Sequence, residues 1–421
     1  MTLRPGSQAS LRAANIRRVL NALRAHGVLS QAEIARLTGL SPASVSNIVH
    51  ELDEAGTVEV RTGVRGGRRA REVRMAGNDA LVVGVDFGHR HIRVAVADPH
   101  FTVRSGRRHE CDVGASALAA CAAAEKLLAE LLGEMGEERS KIKAVGVGLP
   151  APLPPTGGPV GSWPILRGWG SVDPVRELSN RFHAPVFVDN DANLGARGEL
   201  HFGAGRGASS LAYIKAATGL GAGLVIDGRV YRGFSGSAGE IGHLTIDETG
   251  PVCSCGNRGC LETLVGAPYL LELVRHSHPD VRSLEALVSR AVEGDAGCRR
   301  VVSDAARHVG FVAANLCNVV NPERVVVGGE LAAAGEVFLE PLRSAMSRYA
   351  VCSAAATPVM AAESGQRAEV LGALVLAAEQ LELAAERPSR DSPARPSVES
   401  DASDPTIAQD RRLHSGGRDG E

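Results

Sequence analysis

The sequence predicts an α/β protein with a winged helix-turn-helix at its N-terminus and two strand-rich lobes behind it. Three observations carry this. The first 75 residues place apolar side chains at helical spacing and then run into two short strands around a Gly- and Arg-rich tip. A strand–turn–strand segment at 82–98 recurs in form at 209–230. Helical stretches separate the two copies, the alternation expected of packed α/β layers.

The chain of 421 residues is long enough for two or three domains, each with its own core. Its net charge of −2 hides an asymmetry. Residues 1–75 hold 12 Arg, no Lys and 6 acidic residues, a net of +6, and the remainder carries −8. A basic segment on an acidic body points to nucleic acid at one end. There is no apolar run of membrane-spanning length, about 18 residues, and no apolar signal-peptide core near the start. The expected compartment is the cytoplasm, with no membrane partner. Cys111, Cys121, Cys298, Cys317 and Cys352 lie in apolar or helical surroundings and read as buried thiols.

The first domain is expected over 8–75. In LRAANIRRVLNALRAHG, Leu11, Ile16, Val19, Leu20 and Leu23 fall on one helical face, and Gly27 ends the helix. In SQAEIARLTG, Ser30 and Glu33 form a capping box, Ile34 and Leu37 face inward, and Gly39 breaks the helix. In SPASVSNIVHELDEAG, Ser41 caps, Pro42 suits the first helical position, and Val45, Ile48, Val49 and Leu52 form the buried stripe. Helix, tight Gly turn and second capped helix make a helix-turn-helix. The following 57–75 reads as a wing. Pro42, Ala43, Ser44, Ser46 and Asn47 begin the second helix away from its apolar stripe. Small polar groups there suit base edges in the major groove, while Arg65, Arg68 and Arg69 on the wing suit phosphates or the minor groove. The expected partner is operator DNA.

Ala76–Asp79 is a linker, and the second domain is expected over 80–385. Strands at 82–98 and 102–110 precede a long Ala/Leu helix from Ser116 and the apolar strand IKAVGVGLP. The hairpin at 209–230 repeats the strand, Gly-rich turn, strand order, so two lobes with a cleft between them are expected. The tail over 387–421 is rich in Pro, Ser, Asp and Arg and should be disordered.

The segment GEIGHLTIDETGPVCSCGNRGCLE brings His243 near Cys253, Cys255 and Cys260. One imidazole and three thiolates make a closed tetrahedral set, the pattern of a structural zinc site. Gly256 and Gly259 let the loop turn tightly enough for the flanking sulfurs to reach one ion. Glu240 and Glu262 flank the loop, where carboxylates can accept hydrogen bonds from hydroxyl groups. The apolar strand at 185–188 ends in Asp189-Asn190-Asp191-Ala192-Asn193. Strand ends of α/β sheets are where ligands bind; Asn190 and Asp191 can hold a sugar hydroxyl, and an Asx-rich helix cap through Asp189 or Asn193 is the alternative reading.

With these residues in hand, the chain resembles the ROK family of repressors, open reading frames and sugar kinases. The resemblance rests on the glycine pattern from Gly219 to Gly-Glu-Ile-Gly-His, the loop CSCGNRGCLE and the segment DNDAN, and the N-terminal winged helix resembles the family's transcription-factor branch. It implies an actin-like, hexokinase-type fold in two lobes. It implies that Asn190, Asp191, Glu240, His243 and Glu262 contact sugar hydroxyls, with His243 also on zinc, and that Asp191 matches the kinases' catalytic base. The expected effector is a small sugar or sugar phosphate, and the expected assembly a homodimer or homotetramer, since a helix-turn-helix usually meets a palindromic site in two copies.

Kinase members carry Asp-x-Gly-Gly-Thr-Lys where this chain has Asp86-Phe87-Gly88-His89-Arg90-His91. The second Gly is replaced by His89 and the Thr hydroxyl by Arg90, so the nest of amides for a transferable phosphate is expected to be lost, though an Arg and two His can still attract an anion. The second loop, Ala217–Gly223, keeps its glycines. The expectation is a sugar-responsive DNA-binding regulator without useful kinase activity.

Overall fold

The computed structural model describes residues 8–54, 56–65, 68–75, 80–153, 158–161 and 166–385. The wing tip Gly66–Gly67, the linker Ala76–Asp79 and the tail over 387–421 lie outside the described residues.

The N-terminal unit runs α1 (Gln8–His26), β1 (Leu29–Ser30), α2 (Gln31–Thr38), α3 (Pro42–Glu54), β2 (Val58–Arg65) and β3 (Arg68–Met75). Ser30 and Glu33 close the capping box of α2, and Gly39 ends it in the left-handed region at φ 69°. The wing is the antiparallel pair β2–β3, from Val58 opposite Met75 to Arg65 opposite Arg68. One strand escaped the sequence reading. The two-residue β1 pairs with β3 through Leu29 and Val73, making the sheet three-stranded. Val19, Leu23, Ile34, Val45, Ile48, Val58 and Val73 fill the core between helices and sheet. Two expected inward residues are not inside: Leu11 is 63% exposed and Leu37 46%. Leu11 lies in the first turn of α1, ahead of the part of that helix that packs. The eight-residue α2 buries only Ile34 before it reaches its Gly39 cap.

The two lobes are built on one plan. The first runs β4 (Leu81–Phe87), β5 (His91–Ala97), β6 (Val103–Glu110), α4 (Ala117–Met135), β7 (Ile142–Leu149), α5 (Pro174–Phe182), β8 (Val186–Asn190) and α6 (Asp191–Phe202). The second runs β9 (Leu211–Ala216), β10 (Leu220–Ile226), β11 (Arg229–Tyr231), α7 (Glu262–Val265), α8 (Ala267–Val274), α9 (Leu284–Val292), α10 (Ala296–Val320), β12 (Arg324–Gly328), α11 (Glu336–Tyr349), α12 (Cys352–Ala355), β13 (Val359–Ala361) and α13 (Ala368–Ala385). The sheet orders are β6-β5-β4-β7-β8 and β11-β10-β9-β12-β13. In each, an antiparallel meander supplies three strands and two parallel strands extend the sheet from its first member. β4 is buried at all seven positions, the run expected of a strand covered on both faces.

The last helix ties the lobes together. α13 leaves the second lobe and packs on β4, β7 and α6. Glycine permits that approach: a Cβ at Gly146 would sit 1.9 Å from the Ala373 carbonyl oxygen. Glu369, in the first turn of α13, is thereby delivered between the lobes. Cys121, Cys298 and Cys317 are buried as expected, but Cys111 is only half-buried and Cys352 is exposed, because it opens the short surface helix α12.

Candidate functional site

The cysteine loop folds into one cluster. One donor atom from each of His243, Cys253, Cys255 and Cys260 lies within 4.8 Å of the others. Cys253 Sγ is 3.6 Å from His243 Nδ1, and Cys255 Sγ is 3.7 Å from Cys260 Sγ. Gly259 is indispensable to that turn. It sits at φ 63°, and a Cβ there would lie 1.5 Å from the Asp247 carbonyl oxygen. Isolated bridges pair Thr245 with Cys260 and Val252 with Arg258, so the loop is pinned at both ends. The four side chains form a group able to hold a metal ion.

His243 is a hinge between that cluster and a neighbouring pocket. Its Nδ1 faces Cys253, while its Nε2 is 3.9 Å from Glu240 Oε2. Asn190, Asp191, Glu240, His243 and Glu262 all line this one pocket. The elements explain why. β8 ends at Asn190, α6 starts at Asp191, the Gly-rich loop after β11 brings Glu240, and the cysteine loop brings Glu262 at the start of α7.

The polar atoms already have work inside the protein. The N-cap of α6 is Asn190, whose side-chain oxygen accepts from the amides of Ala192 and Asn193 at 2.9 and 3.2 Å, while its Nδ2 donates to the Ala151 carbonyl. The cap is therefore neither Asp189 nor Asn193. Those two serve below it: Asn193 Nδ2 donates to Asp189 Oδ1 at 3.0 Å, and Arg232 forms an ion pair with Asp189. Glu262 Oε2 accepts the Leu220 amide at 3.3 Å. Burial pushes the Glu240 carboxyl up to about 7 against the pull of His243.

Asp191 is 10% exposed at its side chain and meets a residue the sequence reading missed. Lys215 on β9 donates from Nζ to Asp191 Oδ2 at 2.8 Å and lies 3.5 Å from Glu369 Oε1. Glu369 in turn accepts from the Tyr213 hydroxyl at 3.0 Å. Burial works against the ammonium, but Asp191, Glu369 and Asp86 outweigh it and hold Lys215 well above the ordinary lysine range. A signal was present: Lys215 is the one charged residue in the otherwise apolar strand LAYIKA. Trp169 belongs to the core of the first lobe. It is fully buried, its indole N–H donates to the Val113 carbonyl at 2.9 Å, and its ring packs edge-on against Phe87.

The first hairpin turn is committed inward. His91 Nε2 sits 3.2 Å from Asp86 Oδ2, and its ring fills the space over Gly88, where a Cβ would come within 2.4 Å of it. Burial would push Asp86 up, but the His91 hydrogen bond and nearby Lys215 outweigh it and hold the carboxyl below its ordinary value. His89 lines the same pocket as Asp191, and burial lowers its imidazole below the ordinary range, so it is neutral near pH 7. Of the Arg and two His expected to attract an anion, only Arg90 is exposed. The second loop keeps its glycines for another reason than a turn: a Cβ at Gly223 would lie 2.2 Å from the Ala192 carbonyl, so α6 rests directly on β10.

On the N-terminal unit, Pro42, Ala43, Ser46 and Asn47 are exposed at the start of α3. Ser44 is half-buried, and its hydroxyl is 2.9 Å from that of Ser41. Among the described residues, nothing hydrogen-bonds the side chains of Ser46 and Asn47. Arg65 and Arg68 face each other across the wing next to its tip. Among the described residues, no helix is long and apolar enough to cross a membrane.

Residues 82–380 match the ROK family and residues 17–70 the MarR family. A putative xylose repressor of Caldicellulosiruptor sp. (strain Rt8B.4) is 32% identical over 354 residues, 80% of this chain and 88% of that protein. A glucokinase of Halalkalibacterium halodurans is 36% identical over 233 residues, 51% of this chain and 70% of that protein. In three dimensions, a ROK family transcriptional regulator described as a homolog of the E. coli MLC protein superposes with a TM-score of 0.71 at 23% identity, covering 88% of this chain and 96% of that one. From its matched residues and its paired five-stranded lobes, with a winged helix-turn-helix ahead of them, the chain belongs to the ROK family.

Proposed function

We propose that the chain is a sugar-responsive, DNA-binding transcriptional regulator of repressor type. Residues 8–75 serve DNA and 80–385 serve the ligand. The observation that carries this is the coexistence, in one chain, of a winged helix-turn-helix and a pocket into which Asn190, Asp191, Glu240, His243 and Glu262 converge. Carboxylates and an amide around a small pocket are the donors and acceptors that polyhydroxyl ligands require. The relative named as a xylose repressor supports the same reading. The start of α3, with Pro42, Ala43, Ser46 and Asn47 exposed and Ser44 half-buried, enters the major groove, and Arg65, Arg68 and Arg69 of the wing meet phosphates or the minor groove. The expected assembly is a homodimer or homotetramer, since a helix-turn-helix usually meets a palindromic site in two copies, and the expected compartment, where the DNA lies, is the cytoplasm.

The metal is zinc in a structural role. Tetrahedral coordination at Zn–S about 2.3 Å and Zn–N about 2.05 Å puts paired sulfurs about 3.8 Å apart and sulfur and nitrogen about 3.6 Å apart. The separations of 3.7 and 3.6 Å fit that set. His243 Nδ1 is the ligating nitrogen, which leaves Nε2 toward Glu240 and the pocket.

The competing reading is an active sugar kinase, favoured by Asp191 in the pocket and by the glucokinase relative. Against it stand the inward His91 and the ion-paired Lys215. Phosphoryl transfer depends on positioning and on charge stabilisation of the transferred group, and the first hairpin supplies neither. A coupled ADP assay with Mg-ATP and a panel of hexoses, pentoses and amino sugars is expected to show no sugar-dependent turnover. Turnover of about 1 per second or faster, abolished by Asp191→Asn, would overturn the regulator-only reading. On the DNA side, Asn47→Ala is expected to change base preference by about 1–3 kcal/mol, and Arg68→Ala with Arg69→Ala to weaken binding to all sequences and flatten the salt dependence. Unchanged operator binding after deletion of 1–75 would refute the assignment.

A further inference from the structure

Two cavities meet at Lys215. One is the pocket of Asp191 and Glu262, with room of about 60 Å³; the other is the cleft between the lobes, of about 350 Å³. His89, Lys215 and Ala217 line both. These side chains are therefore the wall between the sugar pocket and the place from which a phosphoryl group would have to come.

We infer that Lys215 is a specificity-determining residue: its ammonium, locked onto Asp191 and Glu369, closes this junction, so that the pocket takes an uncharged sugar and rejects the same sugar as a phosphate ester. The inference rests on the sugar-binding reading proposed above and narrows its ligand class.

The charges around the junction carry it. Lys215 Nζ is within 2.8 Å of Asp191 and 3.5 Å of Glu369, and Asp86 is the third carboxylate acting on it. Its side chain is 13% exposed, so water does little to screen the group. Asp191 and Glu369 are the carboxylates nearest the ammonium, while Asp86 is acted on by His91 and Arg93 as well as by Lys215. The pocket adds Glu262. A phosphate entering the small pocket would meet Asp191 and Glu262 with Lys215 already engaged, while the cations Arg90, Arg93, Arg108 and Arg282 line the larger cleft on the other side of the wall; like charges in a poorly screened site repel strongly. His89 brings no cation, because burial keeps its ring neutral, and that ring lies across Gly219, 3.7 Å from where a Cβ would be. A sugar hydroxyl has no such difficulty: each Asp191 oxygen accepts one bond from the protein, from the Ala192 amide and from Lys215, and a carboxylate oxygen has a second lone pair to offer.

The test is isothermal titration of full-length wild-type protein with D-xylose, D-glucose and N-acetyl-D-glucosamine, each beside its terminal phosphate ester. The expected result is that at least one free sugar binds, and at least tenfold tighter than its ester. Lys215→Met should weaken the free sugar about tenfold or more, with Lys215→Arg retaining the preference for sugar over ester. An ester that binds wild type as tightly as its parent sugar overturns the inference and leaves the sugar-binding reading standing. If neither sugars nor esters bind, that reading falls and the inference with it. Should Lys215→Met fail to fold, the wild-type ratio and the Lys215→Arg ratio decide the matter.

Discussion

In the first lobe the turn between β4 and β5 carries His89 and Arg90 and leads into His91; in the second, the turn between β9 and β10 carries Ala217, Thr218 and Gly219. The two hairpins hold equivalent places in sheets of one strand order, yet they have diverged in opposite ways. The first carries side chains that fold back on their own strand, with His91 over Gly88 and against Asp86. In the second, helix α6 lies on the glycines and two neighbouring segments hold the strand: Glu262, just past the cysteine loop, accepts the Leu220 amide, and the Gly239 carbonyl of the loop after β11 accepts the Ala222 amide at 2.8 Å. A turn whose only duty is toward a ligand is free to change when that ligand is no longer used. A turn that is also a packing surface is not.

The contrast can be broken at several points. The largest effect is expected at the loop that holds the second hairpin. Cys260→Ser should remove the metal, which elemental analysis of the wild type should find at one zinc per chain, and should lower stability by several kcal/mol, about 4 or more. Stoichiometric zinc in that variant would refute the ligand set. Next, Gly223→Val drives a branched side chain into the backbone of α6 and is expected to cost about 3 kcal/mol, read by urea denaturation. A stable Gly223→Val protein would mean that packing is not what preserves the second loop.

Asp86→Asn tests the first hairpin. Because the folded carboxyl lies below its ordinary value, its contribution is fully present above about pH 3.9 and is lost as pH falls through the lowered folded value. The gap between wild type and variant, about 1.4 kcal/mol for each unit of lowering, should therefore narrow below pH 4. A gap that fails to narrow below pH 4 would contradict a lowered Asp86 carboxyl. The smallest effect is expected from His89→Gly. It leaves His91 and Asp86 in place and should change stability by no more than about 1 kcal/mol. It should also leave the ADP assay silent, since Lys215 still occupies the junction. Sugar-dependent ADP release from His89→Gly would show that the turn alone, rather than turn and lysine together, had stopped transfer.

Much of this was legible in the sequence because it is local. The Ser30–Glu33 box, the Gly39 stop and the apolar stripe of α3 are decided within a few residues, and the structure has all three. The gathering of His243, Cys253, Cys255 and Cys260 was equally readable, since three of the four donors fall within one short loop. The five pocket residues came from motif resemblance, and they do line one pocket. Leu37 misled because a period assigns a face without saying whether anything covers it.

What the sequence by itself determined is therefore the class of each part: a helix-turn-helix with a wing, two α/β lobes, a thiolate loop and a strand end rich in Asx residues. The tertiary structure alone decided which charges meet. Lys215, Asp191, Glu369 and Asp86 come from β9, α6, α13 and β4, the first and last of them 283 positions apart along the chain between Asp86 and Glu369. No periodicity or spacing links such residues, because ion pairing depends on distance through space and on burial, and both are set only when α13 returns from the second lobe to pack on the first sheet.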